Sequence, residues 1–253
     1  MADSVDKVKR TAGKLGCLPG KVPVGLCELT WYVSGSLPTP PPHTSVPSVA
    51  NWGMLGNDQY GDCGVAGLEH GFEADAQITG VPSNNFPTDQ QAVEYYLKYT
   101  DGQDTGVVLS DYLAYVRKNG YYGHTVDSYA PVAVHDIPSL HSAISMFGFT
   151  YTGIAVTAPM QQAFENHEPW TTELLDSPII GGHCIPLCGY DNNYLYAITW
   201  GGVQEISYPA WHQMSSEAWA VITGEFVKHG GDGRGVNLAA LRKDLDLLNS
   251  PAE

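Results

Sequence analysis

Asn57-Asp58-Gln59-Tyr60-Gly61-Asp62-Cys63-Gly64-Val65-Ala66-Gly67 is a polar turn that runs straight into an apolar helix, and its reading decides the fold. Asp62 is a good helix N-cap, because its carboxylate can accept from the free N–H groups of the first turn. Cys63 then opens a helix that continues through Leu68, Phe72 and Ala76. A thiol at that place feels the positive end of the helix dipole, which favours the thiolate. Gln59, four residues earlier, can offer its side-chain amide to an oxyanion forming beside the sulfur. An unpaired cysteine taken alone is more often a buried filler. The amide, Gly61, the cap and the helix start together point instead to a nucleophile.

Such a cysteine needs a base. Gly181-Gly182-His183-Cys184-Ile185-Pro186-Leu187-Cys188-Gly189-Tyr190-Asp191 supplies His183 at the head of an apolar strand. In that role His183 deprotonates Cys63 and later protonates the leaving amine. Strand alternation sets Cys184 and Cys188 on the face opposite His183, so both are expected to point away from the site. One hairpin later comes Ile198-Thr199-Trp200-Gly201-Gly202. His70 lies seven residues after Cys63, two helical turns away, and reads as a packed or surface histidine rather than a base.

The order of Gln and Cys at a helix start, Gly-His before an apolar strand ending Gly-Tyr, then Trp-Gly, resembles the papain-like cysteine peptidases. The resemblance runs from about Asn51 to Val227, and is closest to a divergent branch similar to papain-like modules of actinobacteria and their phages. It implies an α+β fold, in which a helical half with the Cys-bearing central helix packs on an antiparallel sheet or barrel half. It implies hydrolysis of peptide or amide bonds by Cys63 as nucleophile and His183 as general base and acid. Gln59 becomes the oxyanion donor, Trp200 the shield over the pair, and Thr105 with Gly106 the loop that lines the substrate cleft. Neither cofactor nor metal is implied.

Three positions depart from the family pattern. The family's glutamine usually precedes the cysteine by six residues rather than four, and its cleft loop usually carries Gly-Gly where this chain has Thr105-Gly106. The asparagine of its Asn-Ser-Trp-Gly motif is missing from Ile198-Thr199-Trp200-Gly201. Counting from His183 puts Thr199 at the orienting place, while aligning Trp-Gly puts Ile198 there. A threonine hydroxyl accepts from imidazole less well than an amide oxygen, and Asp191 or Asn192 in the nearby turn are other candidates. Two alternatives follow from these departures. One is a papain-fold protein without activity that serves as a binding or structural component, such as a phage part. The other is an amidase or acyltransferase acting on a cell-wall or small amide.

Bulk properties narrow the partners. The 253 residues carry a formal net charge of −15 and are 43% hydrophobic, which reads as a globular chain able to bury a full core. Between Val22 and Phe226 only Lys98, Arg117 and Lys118 are basic, so the body repels phosphate backbones and nucleic acid is not an expected partner. No apolar run follows the charged N-terminus, and none approaches a membrane span, so a cytoplasmic or virion-associated protein is expected. Of the five cysteines, Cys17 and Cys27 can pair if the compartment oxidises. Cys184 and Cys188, about 13 Å apart along a strand, cannot bond to each other. With His183 they splay to opposite faces, which argues against a metal site.

Residues 1–50 read as an N-terminal arm, 51–230 as the papain-like domain and 231–253 as a C-terminal helical tail. The arm holds five of the twelve basic residues (Lys7, Lys9, Arg10, Lys14, Lys21) and a polyproline-like run, Leu37-Pro38-Thr39-Pro40-Pro41-Pro42. Its apolar stretch from Glu28 to Val33 favours packing on the body. In papain-like enzymes such a segment often covers the cleft as an inhibitory propeptide. Helices are expected at Thr88–Lys98 with a Thr88/Gln91 capping box, from Ser110 to a stop at Gly120, at Ile137–Phe147 and at Leu238–Leu248. Strands are expected at Tyr129–Val134, Tyr151–Val156, His183–Gly189, Leu195–Trp200 and Gln204–Ser207. Ser215–Val221 reads as either a short helix or a strand.

Overall fold

The computed structural model describes residues 9–80, 86–229 and 233–248. Lys7 and the rest of the first eight residues lie outside that range, as do the last five of the C-terminal tail. The fold is α+β, with a helical half set against one antiparallel sheet. A short strand, β1 (Cys17–Leu18), precedes the central helix α1 (Cys63–Thr79); α2 (Asp89–Tyr99), β2 (Val107–Val108) and α3 (Leu109–Asn119) follow. Then come β3 (Val126–Pro131), α4 (Ile137–Phe147), β4 (Thr150–Thr157), α5 (Ala158–Glu165), β5 (Ile179–Tyr190), β6 (Tyr194–Thr199) and β7 (Gly202–Ser207). The chain closes with α6 (Tyr208–Met214), β8 (Ser215–Thr223), α7 (Gly224–Lys228) and α8 (Leu238–Leu248). The six-stranded sheet runs β3-β8-β4-β5-β6-β7, every neighbour antiparallel. Ser215–Val221 is thus strand, held between β3 and β4 because Ala218, Trp219, Ala220, Val221 and Ile222 are buried on both faces.

Helix α1 is buried on almost every side, polar positions included. Val65, Leu68, Phe72, Ala74 and Ala76 are buried, and so are Glu69, His70 and Asp75. Its close approach to the sheet depends on Gly71, where a Cβ would lie 2.3 Å from the Phe149 ring. The capping box at α2 is made as expected: Thr88 accepts from the Gln91 N–H, and the Gln91 side chain accepts from the Thr88 N–H. At α1 the expected cap is absent. Asp62 has φ −95° and ψ 18°, outside the extended region that turns a capping side chain onto the first turn, and it makes no cap hydrogen bond. Its carboxyl is buried, and burial pushes its pKa up to about 8.

Beyond the cleft, the arm lies along the body. Leu29 and Tyr32 are buried in a turn of 3₁₀ helix at Leu29–Tyr32, and the Tyr32 hydroxyl donates to Asp244 of α8 over 2.8 Å. The proline run is fixed at two carbonyls: Ser142 donates to Pro38 and Tyr190 donates to Pro41. Thr44 and Tyr190 exchange both backbone hydrogen bonds at 2.9 Å. All five cysteines are free thiols, Cys17 and Cys27 included. No helix among the described residues is long and apolar enough to cross a membrane.

Candidate active site

Cys63 and His183 meet. Cys63 opens α1 and His183 sits on β5, both at 1% exposure, and both line a residual cavity of about 10 Å³ with Asn57, His70, Thr199 and Trp200. That volume is at the lower limit for one water molecule. The Nε2 of His183 lies 2.7 Å from the Thr199 hydroxyl, while its Nδ1 is buried with no hydrogen-bond partner. One ring nitrogen is therefore held by the threonine and the other has no partner in the cavity wall that Cys63 shares. Of the two registers open in the sequence, the count from His183 is the one observed: Thr199, not Ile198, orients the imidazole. Asp191 is spent on its own turn, accepting from Asn193 N, Tyr194 N and the Tyr196 hydroxyl.

The β6–β7 hairpin places the shield. Its two loop residues, Trp200 and Gly201, have φ of 45° and 74°, the positive values that a two-residue hairpin of the I′ kind requires at both positions. Adopting that conformation with a tryptophan is strained, and it lays the indole on His183 with ring centroids 4.6 Å apart and planes at 25°.

Cys184 does not turn away as strand alternation suggests. Its sulfur faces α1, at 3.0 Å from where a Cβ on Gly67 would stand, one turn beyond Cys63. His70 is packed, as expected, with Nε2 2.8 Å from the Trp52 carbonyl oxygen.

The amide side chain at the cavity is not the expected one. Gln59 is exposed, lies outside the cavity, and its backbone N–H serves a turn to Gly56. Asn57 is the amide that lines the cavity, at 2% exposure. It stands six residues before Cys63, the family spacing, so the distance carried the signal that a search for glutamine missed.

The cleft is occupied by the chain's own arm. Residues 14–18 lie between Gly61, Asp104, Thr105 and Gly106 on one wall and Ile180, Gly181 and Gly182 on the other. Thr105 and Gly106 line the groove beside residues 14–18. β1 pairs with β2 in parallel, Val107 N donates to Gly16 O over 2.8 Å, and Gly16 N donates to Gly182 O over 3.1 Å. Lys14 N donates to Asn57 O over 2.6 Å, and the Asn57 amide donates back to Lys14 O over 3.1 Å. The Asn57 amide is thus held by an arm carbonyl and, over 3.0 Å, by the Tyr60 carbonyl of its own turn. Gly16 passes close enough to Gly61 that a Cβ on it would fall 1.7 Å from the Gly61 carbonyl oxygen. Behind this wall, Asp104 accepts from Gly61 N and the Tyr96 hydroxyl, both over 2.9 Å, and so ties the cysteine's turn to α2.

This cover reverses the electrostatics that the sequence suggests. Burial pushes the Cys63 thiol up to about 12, against the help of the Cys184, Gly16 and Gly64 N–H groups. Burial likewise pulls His183 down to about 3, with His70 adding to the effect. Desolvation outweighs the helix dipole here because both groups are enclosed by protein. The arm-covered pair is a neutral thiol and a neutral imidazole.

No family model matches the chain, and no curated protein matches it. Solved structures do. Xylellain, a cysteine protease from Xylella fastidiosa, superposes with a TM-score of 0.64 at 14% identity, covering 85% of this chain and 98% of that one. The digestive procathepsin L 3 of Tenebrio molitor larval midgut gives 0.51 at 14% identity, over 85% and 76% of the two chains. The proform of the ragweed pollen cysteine protease Amb a 11 gives 0.52 at 15% identity, over 85% and 69%. What this chain shares with all three is the fold of the papain-like cysteine proteases.

Proposed function

We propose that this chain is a papain-like cysteine hydrolase of peptide or amide bonds, kept latent by its own N-terminal arm. The observation that carries the reading is the buried His183, with Nε2 on Thr199 and Nδ1 unpartnered in the cavity it shares with Cys63. With the arm displaced, water reaches both groups and the desolvation that separates their pKa values falls away. The Cys63 proton passes to His183 Nδ1, and the thiolate adds to the substrate carbonyl carbon. The Asn57 amide, released from Lys14, takes the oxyanion. The C–N bond breaks as the imidazolium returns its proton to the leaving amine. Water, deprotonated by His183, then cleaves the thioester. Thr199 orients the imidazole, Trp200 excludes water from it, and Thr105 and Gly106 line the substrate's path.

Replacing the family's asparagine and glutamine by Thr199 and Asn57 supports a divergent branch, similar to the papain-like modules of actinobacteria and their phages. The neutral resting pair also favours a second reading, a papain-fold binding component in which Cys63 never ionises. Iodoacetamide labelling of Cys63 against pH separates the two, run on the parent chain, on Gly16→Asp to expel the arm, and on Gly16→Asp with His183→Ala. The hydrolase reading expects slow labelling of the parent. It expects fast labelling of Gly16→Asp well below the usual thiol pKa of about 8.5, lost without His183. Ordinary thiol titration in all three proteins would leave the binding component standing. Amidase or acyltransferase chemistry on the same pair is distinguished by its products.

A further inference from the structure

The arm is a bound peptide whose contacts can be read like those of a ligand, and they are of three kinds. Its backbone is gripped in extended form at several successive points: Ala12 N donates to the Glu165 carboxylate, Gly13 O accepts from Gln161, Lys14 is paired with Asn57, and Gly16 is paired with Gly182 and Val107. Its cationic side chains are received at both ends. Arg10 donates to Val203 O over 2.8 Å, lies 4.9 Å over the Phe164 ring, and has Glu205 as its electrostatic partner. Lys14 stands 4.0 Å from Asp104. Two residues beyond Lys14, at Gly16, the slot admits no side chain. A Cβ on Gly106 would fall 2.2 Å from Gly16 O, and one on Gly182 would fall 2.2 Å from Cys17 O, so the walls too must be glycine where Gly16 passes Gly61.

Resting on the hydrolase reading above, we propose that the cleft selects cationic polypeptide segments that present a glycine beside Cys63, the arm being an internal copy of that substrate class. The specificity-determining residues are Phe164 and Glu205 for an arginine or lysine, Asp104 for a second cation, and Gly61, Gly106 and Gly182 for the glycine. The acidic body, with three basic residues between Val22 and Phe226, steers such segments toward the cleft once the arm leaves it. The arm's sequence follows the same rule: three of its residues from 9 to 14 are basic and Gly13 and Gly16 line its inner edge.

The test is fluorescence anisotropy on the full chain carrying Gly16→Asp and Cys63→Ala. The probes are fluorescein-labelled peptides of residues 9–18 with Cys17→Ser. One is otherwise unchanged, one carries Arg10→Glu and Lys14→Glu, and one carries Gly16→Leu. Both altered peptides are expected to bind at least about tenfold more weakly than the first. Glu205→Gln in the protein should weaken only the unaltered and Gly16→Leu peptides, and added salt should weaken binding of the unaltered one. Equal binding of the three peptides overturns the proposal. So does a Cys63 that alkylates no faster in the Gly16→Asp chain, thiol intact, than in the parent at any pH, alkaline included, because a slot that stays closed around aspartate does not select glycine. So does absence of binding to a chain whose Cys63 alkylates fast. Selective binding without cleavage by the Cys63 form would retain this selectivity and remove the hydrolase reading instead.

Discussion

Two amides near the cysteine have unequal standing. Asn57 is buried in the cavity and Gln59 is exposed outside it. In an arm-displaced chain, Asn57→Ala should lower kcat by about 100-fold, the size of one lost oxyanion donor, while Gln59→Ala leaves kcat unchanged; steady-state kinetics of the two variants decides it. Thr199→Val keeps the shape and removes the hydroxyl, at a cost of about 1 kcal/mol for the lost hydrogen bond. It should lower kcat by about fivefold and shift the acidic limb of the pH profile, and Thr199→Asn should restore both. That Cys63 and His183 share a site was legible because each sits beside a backbone signature, a helix start and a Gly-Gly strand head. Asn57 was not, because residue type was weighed ahead of spacing. Asp62 was misread because a capping residue type does not specify the φ/ψ that capping needs.

Among the elements, boundaries followed periodicity closely: α4 and α8 run over Ile137–Phe147 and Leu238–Leu248 as their apolar spacing indicates, and the α2 capping box formed. Thr88→Ala should therefore cost about 1 kcal/mol, read from the urea midpoint at constant m-value. β8 escaped assignment because a strand buried on both faces loses the alternation that distinguishes it from helix. The dipole of α1 illustrates a larger lesson. A helix N-terminus shifts a thiol by a modest amount, whereas complete burial shifts it by several units. Which wins at Cys63 is decided by its enclosure, to which β5 and the β6–β7 hairpin contribute more than a hundred positions away in the chain, and no local pattern around the cysteine contains that information.

At the scale of the whole molecule, an acidic chain has hidden part of its acidity. Burial raises Asp62 to about 8, Glu69 to about 9, Glu73 to about 8 and Asp75 to about 6. Each is neutral in the fold at low pH, so the stability linked to it is complete below its unfolded value of about 4 and is lost as pH rises through its folded value. His70 and His183 work the other way. Depressed to about 4 and about 3, they contribute stability above about 6.5 that is lost as pH falls. Four carboxyls outweigh two imidazoles above their unfolded value, so the two limbs place maximum stability in acidic solution, at about pH 4. Calorimetry should find Tm higher at about pH 5.5 than at about pH 8.5, and Glu69→Gln should flatten the alkaline limb; a Tm that rises toward pH 8.5 would contradict the assignment.

The arm's attachment has a thermodynamic consequence of its own. Residues 10–18 lie in the cleft and residues 29–44 are fastened to the body, but Lys21, Val22, Val24 and Gly25 between them are exposed, Val24 to 95%. While that bridge is whole, the cleft meets its occupant as a tethered ligand, at an effective concentration of roughly millimolar. A competing chain must outbid that figure to enter. One cut in the bridge, the sort of exposed stretch that proteases nick first, leaves every contact in the cleft intact yet abolishes the tether. Occupancy then depends on the free segment's own dissociation constant and on the volume it dilutes into. The fold thereby holds a switch whose setting is changed by connectivity alone, and which dilution keeps from resetting.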